Sequence, residues 1–470
     1  MRHMVEAVTE QIVTYIQSLP DQPAARVEGG VELARSLVED LPEEGAPFRS
    51  LIDLVFERAV PTGFNTAGPG YLAYIPGGGL FHSALADFIA DAVNRYVGVW
   101  MAAPGLVQLE ANVIRWFNQM VGFPPEAGGL LTSGGSLANF TAVVAARRER
   151  LPADFLAGTL YASDQVHHSV LKAAMLAGFP PENVRQVPVD DQFRIRLDAL
   201  EDHIAADRTR GTGAQPFFLV GSAGTTNTGA VDDLAALASV AERERMWFHV
   251  DAAYGGFFML TERGRSRFVG LERADSITLD PHKGLFLPYG TGSLLVRSLE
   301  TLRRAHRVTA DYMPALQDSN EFVDYCTVSP ELSRDFRGLR VWLPLKMHGA
   351  AAFRTALDEK LDLTEWITEE LRTIEELEIV AEPQLSIVAF ALRSPGKGLN
   401  HGPEELNQRN RELLHRINAK QRVYLTGTQL GDRFVIRICV LSFRTHQDRM
   451  LAALDDIRRS VREVIARQPD

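Results

Sequence analysis

The spacing of apolar residues changes character along this chain. Near the start, Val5, Val8, Ile12 and Tyr15 recur every three or four residues, and Leu33, Leu37 and Leu41 repeat that interval. Both are stripes of amphipathic helices, so residues 1–75 are expected to be helical and to bury their stripes against a partner subunit. From about 76 to 340, short apolar runs such as 159–162, 217–221 and 246–250 are bounded by turn residues and alternate with helical stretches. Strands that alternate with helices imply a mainly parallel sheet in an α/β domain. After Trp342 a long helical stretch leads to strands at 387–392 and 434–440 and to a final amphipathic helix from about Asp448. Residues 341–470 therefore read as a small C-terminal α+β domain. No internal repeat and no low-complexity tract interrupts this order.

Three segments carry chemistry. In SITLDPHKGLFLPYGTG, residues 276–292, Lys283 stands between an apolar strand and a Gly-rich turn, with Phe286 and Leu287 placed to wall its amine from water. An amine becomes a useful nucleophile at neutral pH only when its surroundings favour the neutral form. A lysine after a strand is more commonly a solvated surface group, so Lys283 needs company. Company comes from MWFHVDAAYGGFFML, where an apolar strand delivers Asp251 at its carboxyl end. In open α/β sheets the ligand crevice lies outside the carboxyl ends of the strands. A helix cap or salt bridge would also explain Asp251; a partner for a pyridoxal phosphate ring nitrogen explains it better, because that cofactor pairs a lysine with an acid. The third segment, GGLLTSGGSLANF, sets Gly134, Gly135 and Ser136 ahead of a helix, where free amides and the helix dipole favour a phosphate. Alone, that signal is indistinguishable from an ordinary N-cap.

Composition narrows the partners. A chain of 470 residues with 46% hydrophobic and 23% charged residues is long enough for one large core and a smaller domain. Its net charge of -11 disfavours nucleic acid and anionic membrane surfaces. Two cysteines give no disulfide framework, no metal site is expected, and no long apolar run marks a membrane span or a leader. The cytoplasm is the expected compartment.

TSGGSLAN, YASDQVHHS, GTTNTGAVDD, WFHVDAAYGG, LDPHKG and RFVIRICVLSFRT follow one another in an order and spacing that resembles the group II pyridoxal-phosphate decarboxylases, most of all the aromatic-L-amino-acid decarboxylase branch. The resemblance implies the fold type I, aspartate aminotransferase-like architecture, with a mainly parallel seven-stranded sheet flanked by helices on both faces. It also implies a homodimer with active sites at the subunit interface and pyridoxal 5'-phosphate as cofactor. Carried across by position, the lysine that binds the cofactor is Lys283, the ring-nitrogen partner Asp251 and the ring-stacking histidine His167, with its neighbour His168 pointing elsewhere. Gly135, Ser136 and Asp280 fall on phosphate-binding positions, and Thr226 and His282 lie close to the cofactor. Asp280 departs from the asparagine of the animal relatives; a carboxylate beside a phosphate should turn away, act through water, or bond a hydroxyl or backbone group. Tyr312, on a polar stretch near 309–330 that suits a mobile loop, matches the tyrosine implicated in protonating the product carbon.

The implied reaction is decarboxylation of an L-amino acid to an amine through an external aldimine and a quinonoid. Relatives that release an aldehyde by oxidative deamination replace the loop tyrosine or the stacking histidine, whereas this chain has Tyr312 and His167. No arginine can be assigned to the carboxylate site that a transaminase would use. Cys326 is the one loop cysteine a desulfurase would need, and the decarboxylase match accounts for its region. A carrier that had lost its chemistry would be expected to lack Lys283, His167 or Tyr312. By family register Tyr74, Ile75 and Gly77 line the substrate side-chain pocket, and Val97 and Val99 reach in from the second subunit. That lining suits an aromatic substrate; no basic residue is placed to pair a γ-carboxylate, and a non-aromatic amino acid stays open.

Overall fold

The computed structural model describes residues 1–209, 213–308, 316, 321–394 and 402–466. It divides into two compact units, one of residues 77–364 with 381–388 and the other of residues 1–76, 365–380 and 389–470.

The larger unit is built on a seven-stranded sheet: β1 (Gly128–Thr132), β2 (Gly158–Ser163), β3 (Val184–Val187), β4 (Gln215–Ser222), β5 (Trp247–Asp251), β6 (Ser276–Leu279) and β7 (Gly292–Val296), in the spatial order β1-β7-β6-β5-β4-β2-β3. Adjacent strands from β3 across to β6 pair in parallel, and β7 runs antiparallel to both its neighbours. β1, β4, β5 and β6 therefore end at one edge of the sheet, and each hands the chain directly to a stretch that lines the site.

Every residue of β5 is buried, as is every residue of β1, β2, β6 and β7, which is why these segments read as continuous apolar runs without alternation. The helix Gly135–Arg150 buries Ala138, Ala142, Ala145 and Ala146, a stripe of small residues that lets its backbone approach β7 and the helix His168–Leu176 closely. Around it Phe179 stacks on Phe217 at 5.1 Å between ring centroids, within a core that includes Trp247, Leu160 and Val170.

In the other unit, helix Arg2–Ser18 follows the expected stripe and buries none of its residues. The second stripe does not persist: helix Gly30–Ser36 stops before Leu37, and Leu41 is 89% exposed. A four-stranded sheet orders Leu377–Ala381, Ile387–Leu392, Arg433–Cys439 and Thr426–Leu430, and helices Pro403–Ala419 and Gln447–Ile465 pack together beside it. The long helical run Gly338–Arg372, which belongs to the larger unit as far as Thr364, is two helices broken at Gly349, whose φ of 72° and ψ of 158° no helix accommodates. Among the described residues no helix is long and apolar enough to cross a membrane.

Candidate active site

A cavity of about 290 Å³ opens at the carboxyl edge of the sheet. It is walled by residues 133–137 after β1, by Gly224, Thr225 and Thr226 after β4, by Asp251 and Ala253 at the end of β5, by Asp280, His282 and Lys283 after β6, and by His167. Lys283, Asp251, His167, Gly135, Ser136, Thr226, Asp280 and His282, scattered over more than a hundred residues of sequence, are thus brought together.

Lys283 sits in a single helical turn, Pro281–Gly284, entered directly from β6. Glycine follows it because a Cβ at 284 would lie 2.6 Å from that of Phe257. Leu285, Phe286 and Leu287 are all at most 3% exposed, and Phe286 takes a left-handed φ of 61° to tuck in. The amine lies 2.9 Å from Asp280 Oδ2. Buried at 2% exposure and facing Gly135, Asp280 pairs with Lys283, a partner not named among the sequence expectations for it. The reason is the helical turn itself, which sets residues 280 and 283 on one face. Its other oxygen, Oδ1, is buried without a protein partner.

Two further groups complete that end. His282 Nδ1 lies 2.5 Å from the carbonyl of Thr291, an acceptor, so the proton is on Nδ1. Burial lowers the pKa of this imidazole. The helix Gly135–Arg150 begins at Gly134 with no side-chain cap, so its first amides face the cavity with the positive end of the helix dipole.

At the other end, Asp251 accepts from the backbone N–H of Ala253 at 3.1 Å and from Asn139 Nδ2 at 3.1 Å. The same Nδ2 donates to Ser169 Oγ at 2.9 Å, and Asn139 Oδ1 accepts from Thr278 Oγ1 at 2.7 Å and from His249 Nε2 at 3.1 Å. His249 is fully buried, shares Ser276 Oγ with the indole N–H of Trp247, and has its pKa pushed down to about 4 by burial. Ser169 Oγ in turn lies 2.8 Å from His167 Nδ1. Asn139, Ser169 and His249 were not singled out from sequence. The available signals were periodic: Asn139 is one turn beyond Gly135, and His249 alternates with Asp251 onto the same face of β5.

The remaining expectations fall elsewhere. Gly77 lies where a Cβ would stand 3.0 Å from the Tyr289 ring and 3.2 Å from the carbonyl oxygen of His282. Tyr74 and Ile75 belong to the other unit, where Tyr74 is 50% exposed with its backbone N–H on Thr426 Oγ1 and Ile75 is buried. Val97 and Val99 are 0% and 1% exposed, and Val97 belongs to the hydrophobic core of the larger unit. Tyr312 lies outside the described residues, with the rest of 309–315 and with 317–320.

Residues 32–393 match the pyridoxal-dependent decarboxylase conserved domain. The chain is 34% identical over 476 residues to an aromatic-L-amino-acid decarboxylase of Bacillus atrophaeus, covering 100% of this chain and 97% of that protein. Its fold is similar to Oryza sativa TDC solved with PLP and tryptamine (TM-score 0.93, 28% identity, covering 98% of this chain and 97% of that one). It is also similar to Catharanthus roseus tryptophan decarboxylase in complex with L-tryptophan (TM-score 0.90, 25% identity, 98% of each chain). A match of that extent, over a cavity that gathers a lysine, a buried carboxylate and an uncapped helix start, means that the chain belongs to the pyridoxal-dependent decarboxylase family of carboxy-lyases.

Proposed function

We propose that this protein decarboxylates an aromatic L-amino acid to its amine, with the residues of the 290 Å³ cavity holding pyridoxal phosphate and substrate. The observation that carries the reading is the joint placement of Lys283, Asp251 and the uncapped start of helix Gly135–Arg150 in one cavity. These residues fit the cofactor: amides at Gly135 and Ser136 suit a phosphate, Lys283 supplies the amine that anchors an aldehyde, and Asp251 supplies a carboxylate for a protonated ring nitrogen. Pyridoxal phosphate, when bound, supplies the electron sink for the carbon–carbon bond that breaks.

The chain's own residues do the rest. Asp251, held by Asn139 and the Ala253 amide, would keep a proton on the ring nitrogen of the bound cofactor. His167 would cover the ring, Thr226 and His282 would lie beside it, and Tyr312 would deliver a proton to the product carbon. The aromatic substrate is supported by the tryptophan and aromatic-amino-acid decarboxylases among the relatives. A cytoplasmic homodimer is part of the same reading. Leu85, Phe88, Ile89 and Val93 on helix Phe81–Val93 are each at least 40% exposed, an apolar face of the kind a partner subunit covers, and both cysteines are buried thiols.

The test is a panel of amino acids given to the purified, cofactor-loaded protein, scored for CO2, amine, aldehyde and hydrogen peroxide. Equal amounts of CO2 and amine from tryptophan, tyrosine or DOPA, without peroxide, are expected. Aldehyde with stoichiometric peroxide would overturn the reading, and so would turnover confined to non-aromatic substrates.

A further inference from the structure

Four elements meet at one amide. Asn139 is 1% exposed, and its side chain touches the helix His168–Leu176 through Ser169, β5 through Asp251 and His249, and β6 through Thr278. Which end of the amide is nitrogen follows from chemistry. A carboxylate accepts and does not donate, so the atom facing Asp251 Oδ2 must be the NH₂ group. That leaves Oδ1 to accept from Thr278 and from His249, whose proton is thereby fixed on Nε2. Both hydrogens and both lone pairs of Asn139 are committed.

The consequence passes to Ser169. Its oxygen receives a hydrogen from Asn139, so its own hydrogen is available for His167 Nδ1 at 2.8 Å. A second donor addresses the same ring nitrogen: the backbone N–H of Ser169 lies 3.3 Å from Nδ1, and His167 is the N-cap of its helix. A backbone amide only donates, so Nδ1 must present a lone pair. Protonating it would set N–H against N–H and place a cation at a helix N-terminus, where the dipole opposes it. The proton of the neutral ring is therefore on Nε2, the nitrogen left to the cavity that His167 lines.

We infer that Asn139 and Ser169 are positioning residues that hold His167 as the neutral, Nε2-protonated tautomer, so that the imidazole offers the cavity a hydrogen-bond donor and not a base. The inference rests on the proposed function in taking the reacting molecule to lie against His167. A donor there suits the substrate carboxylate: it grips the group in the ground state and cannot remove a proton from the substrate. The charged and titratable groups around His167 are Asp251, Lys283, His168 and Asp280; burial is the largest influence on the ring, and its pKa is lowered. One amide thus sets the acid at the ring nitrogen and the donor above the ring together.

Neutron crystallography of the deuterium-exchanged holoenzyme reads the tautomer directly. Deuterium on His167 Nε2 with none on Nδ1, in crystals at pH 6 and at pH 8, is the expected result; deuterium on Nδ1 at either pH overturns the inference. The second measurement uses Asn139→Asp, which keeps the shape and the acceptor for Thr278 but loses both donors. A positioning role predicts cofactor affinity, read by titration of the visible absorbance band, about 10- to 100-fold weaker, the scale of a lost hydrogen bond to a charged group. It also predicts an acid limb in the kcat/KM profile, as the carboxylate introduced at position 139 draws the Ser169 hydroxyl hydrogen to itself and leaves that oxygen to accept from a protonated His167 Nδ1, which the Ser169 backbone N–H then opposes alone. An unchanged profile and affinity in a folded Asn139→Asp protein would overturn it. The tautomer is visible whether or not CO2 is released, so failure of the proposed reaction and failure of this inference are distinguishable.

Discussion

The two ends of the cavity are built on opposite principles. Around Asp251, each polar atom of the Asn139 amide has a protein partner, and His249, Ser276 and Trp247 extend the network into a fully buried interior. Around Asp280, a buried carboxylate oxygen has no protein partner, the adjoining helix has no side-chain cap, and a lysine and an aspartate face each other at 2.9 Å. A satisfied network resists rearrangement, because moving any member strands the others at low dielectric. At that end the uncapped amides of helix Gly135–Arg150, rather than the carboxylate, are suited to receiving a ligand's negative charge. Rigidity and reception are thus separated along the cavity, and the lysine stands at the receptive end.

Substitutions can break or sharpen that contrast. Lys283→Ala removes the anchoring amine and should lower kcat/KM by about 10⁴-fold or more, on the scale of deleting a covalent nucleophile, with loss of the borohydride-sensitive visible band; retained turnover would place the chemistry elsewhere. Asp251→Asn leaves the shape of the satisfied end and takes its charge, for an expected loss in kcat of about 10²- to 10³-fold, measured at saturating cofactor. At the receptive end the effect should reverse sign. Asp280→Asn removes a negative charge from the proposed phosphate end, and cofactor should bind about ten-fold more tightly by absorbance titration, the scale of a unit charge a few ångströms away. Weaker binding would show instead that the Asp280 to Lys283 pair organises the site.

The pH dependence of stability isolates the satisfied end. His249 has a folded pKa of about 4 against 6.5 for a free imidazole, so between these values the unfolded chain binds a proton that the folded chain does not. Stability is therefore expected to be lost as pH falls from about 6.5 to 4, and urea midpoints across that window should fall less steeply in His249→Gln. The smallest change is expected from Gly77→Ala: its methyl would meet the half-exposed Tyr289 ring at 3.0 Å and the His282 carbonyl at 3.2 Å, so a shift of a few tenths of an ångström accommodates it. If Gly77 lines the proposed substrate pocket, one added methyl group is expected to change the KM ratio of tryptophan to tyrosine by about ten-fold or less.

Much of this was legible in the sequence, and for identifiable reasons. Residues 387–392 and 276–279 form strands as expected because strand length and turn residues mark them plainly. The mainly parallel seven-stranded sheet and the pyridoxal-dependent family stand as the motifs implied. The Asn139 network was not legible, since it depends on side chains from four elements whose meeting only the fold supplies. The pairing of Asp280 with Lys283 was missed for a different reason. A phosphate was assumed to be its dominant neighbour, while the helical turn at Pro281 had already brought the lysine's amine to it. Similarly, Leu41 continues an apolar stripe on paper after the helix has stopped at Ser36. Periodicity records which face a residue would occupy, not whether the backbone goes on turning.

Trp247, His249 and Asp251 occupy alternate positions of β5, aligned with β4 and β6 so that Ser222 lies opposite Asp251 and Ser276 opposite His249. A slip of one residue in that pairing would present Phe248 and Val250 in their place and erase the whole polar column at once. Misaligned molecules would then be colourless as well as inactive, so the yellow of bound vitamin doubles as a quality mark for correct strand alignment during refolding.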